Sequence, residues 1–309
     1  MYKIGVILVN YNGKEYNDKC IKSILNSTIS EQIQIIIVDN ASTDGSLEEL
    51  REQWVNNDQI HIIPLKENYG FSKANNEGIR WAIKQGIEFF LLLNNDTEIE
   101  PYTIECMVDS QKQRNAIVVP QVLYADRPDI IWYAGGDFSP IINKQRNSGI
   151  NRHDNAKYKR SRYCSFANGC CLLLTKKIIK RMGLLDERFF LYGEDTEYSL
   201  RAKERGIDIW YCADAVVYHK VNGSSLGNEK PDNVYYITRN WLLCNCLHRN
   251  DCCCRKGWYA LFLLYFVCNR AAWASIWLIQ RKPQFVLAIW RGIHDFCKGK
   301  FGKTEYWVL

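Results

Sequence analysis

The 309-residue sequence has no G-x-G-x-x-G after its first apolar segment and no G-x-x-x-x-G-K-[ST] anywhere. The first absence removes the glycine turn of a dinucleotide site, and the second removes the backbone cradle of a P-loop. The 13 cysteines include no paired C-x-x-C: Cys170-Cys171 and Cys252-Cys253-Cys254 are contiguous. That spacing argues against a zinc finger and fits reduced thiols in a cytosolic chain. No apolar run reaches the roughly 18 to 20 residues that span a bilayer. Trp258 to Cys268 stops at Asn269-Arg270, and apolar residues resume through Trp273, Ile276, Trp277, Leu278 and Ile279. Met1 to Asn10 lacks a small-residue cleavage site and turns polar at once, so it is expected to be a first strand and not a signal peptide.

What is present suits a globular chain with an appendage. Hydrophobic residues make up 47% and charged residues 24%, enough for a sizeable core. The net charge of +6 is unevenly placed: from Arg239 onward Lys and Arg outnumber Asp and Glu by eight, which leaves the first 238 residues at −2. This contrast suggests a catalytic domain over residues 1–235 and a helical, basic, aromatic-rich tail over 236–309. The tail mixes its charge with bulky apolar residues and carries no nucleic-acid module, so nucleic acid is not an expected partner.

Four strand-loop-helix units open the chain. Ile4 to Val9 ends in Asn10-Tyr11-Asn12-Gly13, and Ile33 to Val38 ends in Asp39-Asn40-Ala41-Ser42, with Ser42 or Asp44 as the expected helix cap. Ile60 to Pro64 leads into Asn68-Tyr69-Gly70, and Phe89 to Leu93 ends in Asn94-Asn95-Asp96. Repetition of this unit predicts a parallel sheet with right-handed crossovers, and ligands of such sheets lie beyond the carboxyl ends of the strands. Asp96 is therefore a candidate cation ligand, although a turn that caps the next helix explains the same residues. Between about 121 and 165, Gly135-Gly136, prolines and scattered aromatics predict hairpins and loops over the site. Cys170 and Cys171 begin an apolar strand and are expected in the core.

Gly193 breaks the next apolar segment, and a helix is expected from Glu194 or Asp195 to Gly206. Glu194, Asp195 and Glu197 would then occupy its first turn, where the helix dipole favours ionised carboxylates, and an ionised carboxylate can accept a proton from an attacking hydroxyl. His219 follows a short strand over residues 215–218 and could complete a cation site beside Asp96.

Taken together, Val9-Asn10-Tyr11-Asn12, Asp39-Asn40-Ala41-Ser42 with Asp44-Gly45-Ser46, Asn68-Tyr69-Gly70-Phe71-Ser72 with Asn75-Asn76-Gly78, Asn94-Asn95-Asp96, and Gly193-Glu194-Asp195 with Glu197 and Arg201 resemble glycosyltransferase family 2. The similarity is greatest to the rhamnosyltransferase-like enzymes of bacterial surface-polysaccharide synthesis and covers about residues 3 to 240. It implies an α/β fold of GT-A type: a Rossmann-like, mostly parallel sheet flanked by helices, here with a C-terminal helical appendage. It also implies a dTDP- or UDP-linked sugar donor, Mg2+ or Mn2+, and inversion at the anomeric carbon. Carried over by position, Asp39 would hydrogen-bond the nucleobase, and Asn10 and Asn68 would line the nucleotide pocket. Asp96 would bind the cation with His219 as a further ligand, and Asp195 would be the general base. Asn94 stands at the first acidic position of the usual D-x-D and joins Asp96 at the donor. The segment Tyr236, Arg239, Asn240 matches the family's Y-x-x-R-N.

The tail, with tryptophans and basic flanks, fits helices lying on an anionic membrane, where a glycan or polyprenyl-diphosphate-linked acceptor would reside. That places the protein in the cytoplasm at the inner face of the cell membrane. The alternative is a helical hairpin packed on the catalytic domain or on a second copy of the chain. Two other functions compete. A sugar-nucleotide nucleotidyltransferase would carry a Gly-rich basic signature after the first strand, which Asn10-Tyr11-Asn12-Gly13 does not supply. A non-enzymatic sugar- or lipid-binding scaffold would have no need of Asp96, Asp195 and His219.

Overall fold

Uninterrupted apolar segments become strands buried on both faces, as parallel β-structure requires. The structure, a computed structural model, describes residues 3–139, 143–220, 230–249 and 257–306. Strands β1 (Ile4–Asn10), β2 (Ile33–Asp39), β3 (Ile60–Pro64) and β4 (Phe89–Asn94) pair in parallel in the order β3-β2-β1-β4. They alternate with helices α1 (Asn17–Leu25), α2 (Ser46–Trp54) and α3 (Gly70–Lys84). The register sets Asn10 opposite Asp39 and Val9 opposite Asn94, so the polar strand ends lie level along one edge. Helix α2 starts at Ser46 with Gly45 in the cap position, and not at Ser42 or Asp44; the Asp44 carboxylate instead accepts the Ser46 N–H at 3.0 Å.

The second half of the sheet is mixed. After β5 (Thr97–Ile99) and α4 (Thr103–Arg114) come β6 (Ile117–Tyr124) and its antiparallel partner β7 (Arg127–Ala134). The expected hairpins are there: β8 (Gly136–Phe138) pairs with β9 (Gln145–Asn147), followed by β10 (Arg152–His153) and β11 (Arg162–Cys164). Strand β12 (Cys171–Thr175) lies antiparallel between β4 and β6, with Cys170 and Cys171 buried as expected. Helices α5 (Lys176–Met182) and α6 (Glu194–Glu204) precede β13 (Ile209–His219), which runs parallel to β6 and antiparallel to β5. The short strand expected over residues 215–218 is the end of this longer one, hidden in the sequence by a register shift between Cys212 and Val216.

The tail contains α7 (Pro231–Leu247), α8 (Gly257–Ile279) and α9 (Pro283–Cys297). The two apolar pieces are one 23-residue helix, long and apolar enough by length and composition to cross a membrane. Asn269-Arg270 does not interrupt it, because the Arg270 guanidinium lies over the Trp241 and Phe266 rings and donates to the Thr238 hydroxyl. The division at 235/236 falls within α7, whose Tyr235 and Tyr236 share an apolar cluster with Trp277 and Phe285. The ten described cysteines are free, and Cys252 to Cys254 lie outside the described residues.

Gly70 joins the fold to its site. Its φ of +84° is left-handed, and a Cβ there would lie 2.4 Å from the Phe190 carbonyl oxygen, which also accepts the Phe71 N–H at 2.8 Å. Gly206, at φ +60°, has nothing within 4 Å of such a Cβ. Gly70→Ala is expected to cost about 2–4 kcal/mol in urea unfolding, against about 1 kcal/mol for Gly206→Ala. Equal costs would show that the close approach does not matter.

Candidate active site

The site begins with amides that never reach its surface. Asn10, fully buried, has its Nδ2 within 3.0 Å of Asp39 Oδ1, Ser42 Oγ and Ser46 Oγ, and its Oδ1 accepts from Asn17 and Asn95. Asp39 is equally buried, and its Oδ2 receives the Ser42 N–H. Asn10 was expected to line the nucleotide pocket; its side chain is consumed in joining the loops after β1, β2 and β4 and does not line the cleft. Asp39 likewise presents its carboxylate to Asn10 and the Ser42 loop.

The cleft itself, about 470 Å³, opens above this network. Asn68, Asn94 and Asp96 line it, together with Tyr11, Asn40 and Phe190. Asn40 holds Asn68 by donating to its Oδ1 at 2.9 Å. The far wall comes from residues outside the anticipated pocket: Lys230, Asp232 and Tyr236 near the start of α7, and Lys303 and Thr304 at the C-terminal end.

Pairing of β13 with β5 sets His219 opposite Thr97 and brings His219 Nε2 to 3.1 Å from Asp96 Oδ1. Burial disfavours the imidazolium, but Cys170 and Asp96 outweigh it and lift His219 to about 10; the ring would have to give up this proton to ligate a cation, since only neutral imidazole coordinates. Asp96 Oδ1 is buried without a hydrogen bond of good geometry. An unsatisfied carboxylate oxygen beside an imidazole nitrogen fits two neighbouring ligands of one divalent cation. Among the described residues no third His, Cys, Asp or Glu joins them, so a bound ligand's oxygens would have to contribute further donors.

The loop before β12 connects this pair to Asp195. Asn94 N–H donates to the Cys170 carbonyl at 2.9 Å, and Gly169 N–H donates to Asp195 Oδ2 at 3.3 Å. Asp195 sits in the first turn of α6, behind two left-handed residues, Tyr192 (φ +64°) and Gly193 (φ +90°). Glu197 pairs with Arg201, which also donates to the Met182 and Leu184 carbonyls, so these two motif residues anchor α6. The helix dipole does not keep Glu194 and Asp195 ordinary. Burial, and then the charge of Asp195, push Glu194 up to about 8, and burial raises Asp195 despite hydrogen bonds from Gly169 and Thr196. A second cavity, of about 180 Å³, opens beside Gly193 and Thr196, with Tyr192, Trp241, Lys144 and Arg270 on its walls. The Asn168-Gly169 turn was not anticipated as part of the site; its signal is a small polar pair directly before an apolar strand.

The central sheet flanked by helices, with its cleft beyond the strand ends, has a fold similar to that of GT-A glycosyltransferases. The chain matches the family model "Glycosyl transferase family 2" over residues 5–183 and belongs to that family. It is 30% identical over 242 residues to the low-salt glycan biosynthesis hexosyltransferase Agl10 of Haloferax volcanii, covering 78% of this chain and 74% of that one. It is 24% identical over 247 residues to the dTDP-rhamnosyl transferase RfbF of Shigella flexneri, covering 78% and 79%. Among solved structures, GalNAc-T7 with UDP, GalNAc and Mn2+ superposes with a TM-score of 0.62 at 16% identity, covering 79% of this chain and 48% of that longer one, a likeness of fold.

The carboxylate pair has a consequence for stability. The folded state holds a proton on Glu194 up to about 8, whereas an unfolded glutamate releases it near 4.5. Between those values the folded chain binds more protons than the unfolded one, so this pair makes stability fall as pH rises. Urea unfolding at about pH 5 and pH 8 should show that Glu194→Gln flattens part of the decline seen in the wild type. An unchanged slope would mean that Glu194 titrates normally.

Proposed function

We propose that the chain transfers a sugar, rhamnose or a UDP-linked hexose, from a dTDP- or UDP-linked donor to a hydroxyl of a glycan or lipid-linked acceptor in glycan biosynthesis, with inversion. The carrying observation is the hydrogen-bonded link from the cleft to the proposed base: Asn68, Asn94 and Asp96 line the cleft, the Asn94 N–H bonds the Cys170 carbonyl, and the adjoining Gly169 N–H bonds Asp195. The names of the two relatives support a hexosyl or rhamnosyl donor, and the UDP and Mn2+ of the structural neighbour support a nucleotide and a divalent cation.

In this mechanism Asp96 and the neutral ring of His219 would hold Mg2+ or Mn2+, and the bound cation would supply stabilisation of the negative charge that develops on the departing diphosphate. Asp195 faces the acceptor and takes the proton of its attacking hydroxyl. The Glu194-Asp195 pair, raised by burial, brings that base closer to a working pH near neutrality, where a proton acceptor is most effective. Gly169 N–H keeps the carboxylate oriented. A single carboxylate base on the acceptor side suits direct displacement, which inverts the anomeric carbon.

Asp195→Asn should cut transfer by about 10²–10⁴-fold while nucleotide binding by calorimetry stays unchanged. Normal turnover would reduce Asp195 to a loop cap. Asp96→Ala and His219→Ala should each raise the cation concentration that gives half-maximal activity, and an unmoved titration would refute the cation assignment.

The acceptor and the cytoplasmic membrane face are part of the same proposal. Helix α8 buries Phe262, Phe266 and Trp277 against its neighbours but exposes Leu261, Leu264, Val267 and Leu278, and α9 exposes Trp290. A helix with one face docked and one apolar face open, followed by Arg281-Lys282, suits lying in the interface of an anionic bilayer near a lipid-linked acceptor. The chain should sediment with anionic liposomes, and Leu264→Glu with Val267→Glu should abolish this. No sedimentation of the wild type at low salt would refute it.

A further inference from the structure

The Y-x-x-R-N segment of α7 has no part in the chemistry above, yet its three polar side chains reach two separate loops. Arg239 is buried, its guanidinium lies within about 5 to 6 Å of the Tyr235, Tyr236 and Phe301 ring centroids, and its Nη1 donates to the Gly302 carbonyl at 2.9 Å. The Tyr236 hydroxyl accepts the Thr304 N–H at 3.0 Å, and its ring stacks on Phe190 at 5.3 Å. Asn240 Nδ2 donates to the Leu191 and Tyr192 carbonyls, in the loop that presents Glu194 and Asp195. Further bonds hold the C-terminal segment: Gly302 N–H donates to the Arg188 carbonyl, and the Tyr306 hydroxyl donates to Asp295. The chain after α9 is therefore strapped back across the catalytic domain. The strap carries Lys303, an exposed side chain, into the wall of the cleft that also holds Asp96, with Lys230 on the same wall.

Charge explains what the strap is for. A nucleoside diphosphate brings two or more negative charges into a cleft whose cation site has one carboxylate and one imidazole, since Asn94 replaces a second acid. Ammonium groups are suited to phosphate oxygens as mobile point charges. We propose that Lys303, delivered by this strap and assisted by Lys230, binds the diphosphate of the donor, and that Tyr236 and Arg239 are positioning residues that hold the strap in place. The inference rests on the cleft being the nucleotide-sugar site. It makes the C-terminal segment part of donor recognition, and α7 the common support of donor wall and base loop.

The test is calorimetric titration of the full chain with UDP and dTDP, and with uridine and thymidine, which lack the diphosphate. Lys303→Ala should weaken binding of the better diphosphate by about tenfold, more without divalent cation than with it, and leave nucleoside binding unchanged. Lys303→Arg should retain most of the affinity. Lys300→Ala removes the same charge outside the cleft lining and should have no effect. Tyr236→Phe, which deletes one strap bond, should weaken diphosphate binding by less than Lys303→Ala, and the double variant should bind no worse than Lys303→Ala alone. Wild-type affinity in Lys303→Ala, or equal losses for nucleoside and diphosphate, would overturn the role of Lys303 and leave the donor cleft standing. A wild type that binds neither diphosphate would overturn the cleft assignment and this inference with it.

Discussion

The hydrogen bonds of Asn10 are the constraint on which the rest of the site depends. A buried amide can be tolerated only if its donors and acceptor are matched, and here both ends are used: Nδ2 toward Asp39, Ser42 and Ser46, Oδ1 from Asn17 and Asn95. The partners belong to the end of β2 and the loop after it, the start of α2, the loop after β4, and α1, the helix after the first strand. Loss of this amide would strand several buried polar groups, each at a cost of about 1–3 kcal/mol. Such a network fixes loop positions more sharply than apolar packing does, because each bond specifies a direction as well as a distance. The ligand-facing side chains Asn68, Asn94 and Asp96 then stand on a base that is already rigid.

The same device recurs farther out. Asn76 both donates to and accepts from the backbone of Leu185, Arg201 holds the Met182 and Leu184 carbonyls, and Asn240 holds those of Leu191 and Tyr192. These clamps span the whole segment that leads from α5 to the start of α6. A loop of this length would otherwise sample many conformations, and a proton acceptor on it would rarely be in place. Most of the polar motif residues therefore act as positioning groups, and few remain for contact with substrate.

How much of this could be read from the sequence depends on where the determining interaction lies. Strands β1, β2 and β4 were legible because burial on both faces leaves an uninterrupted apolar run, and the polar residues at their ends marked the ligand edge. Asn10 was placed at the right edge but on the wrong side of the surface, since residue type and position do not reveal that its partners enclose it. The pairing of Asp96 with His219 was anticipated, but the β5–β13 register that produces it was not, because β13 bends through a register shift. The length of α8 was missed because Arg270 looked like a break; a guanidinium can bury its stem and plane against aromatic rings without leaving the helix. The C-terminal strap was invisible, since it is held largely through the backbone of Gly302 and Thr304, and backbone bonds leave no residue pattern.

The carboxylates of α6 show why the sequence argument from the helix dipole ran the wrong way. A helix N-terminus stabilises a nearby negative charge by about 0.3–1 kcal/mol at an exposed position and about 2 kcal/mol when partly buried. Taking a carboxylate out of water costs several kcal/mol, and a second carboxylate next to it adds repulsion. Burial therefore wins, and Glu194 and Asp195 must be treated as one titrating pair in which the first proton lost discourages the second. Glu194 Oε2 has no hydrogen-bond partner among the described residues, so little beyond the backbone N–H of Glu194 offsets its charge when it ionises. The neutral form of Glu194 is consequently the favoured one near pH 7, and a neutral Glu194 leaves the negative charge on Asp195. The buried neighbour that appears redundant in sequence thus helps decide which of the two carboxylates is free to accept a proton.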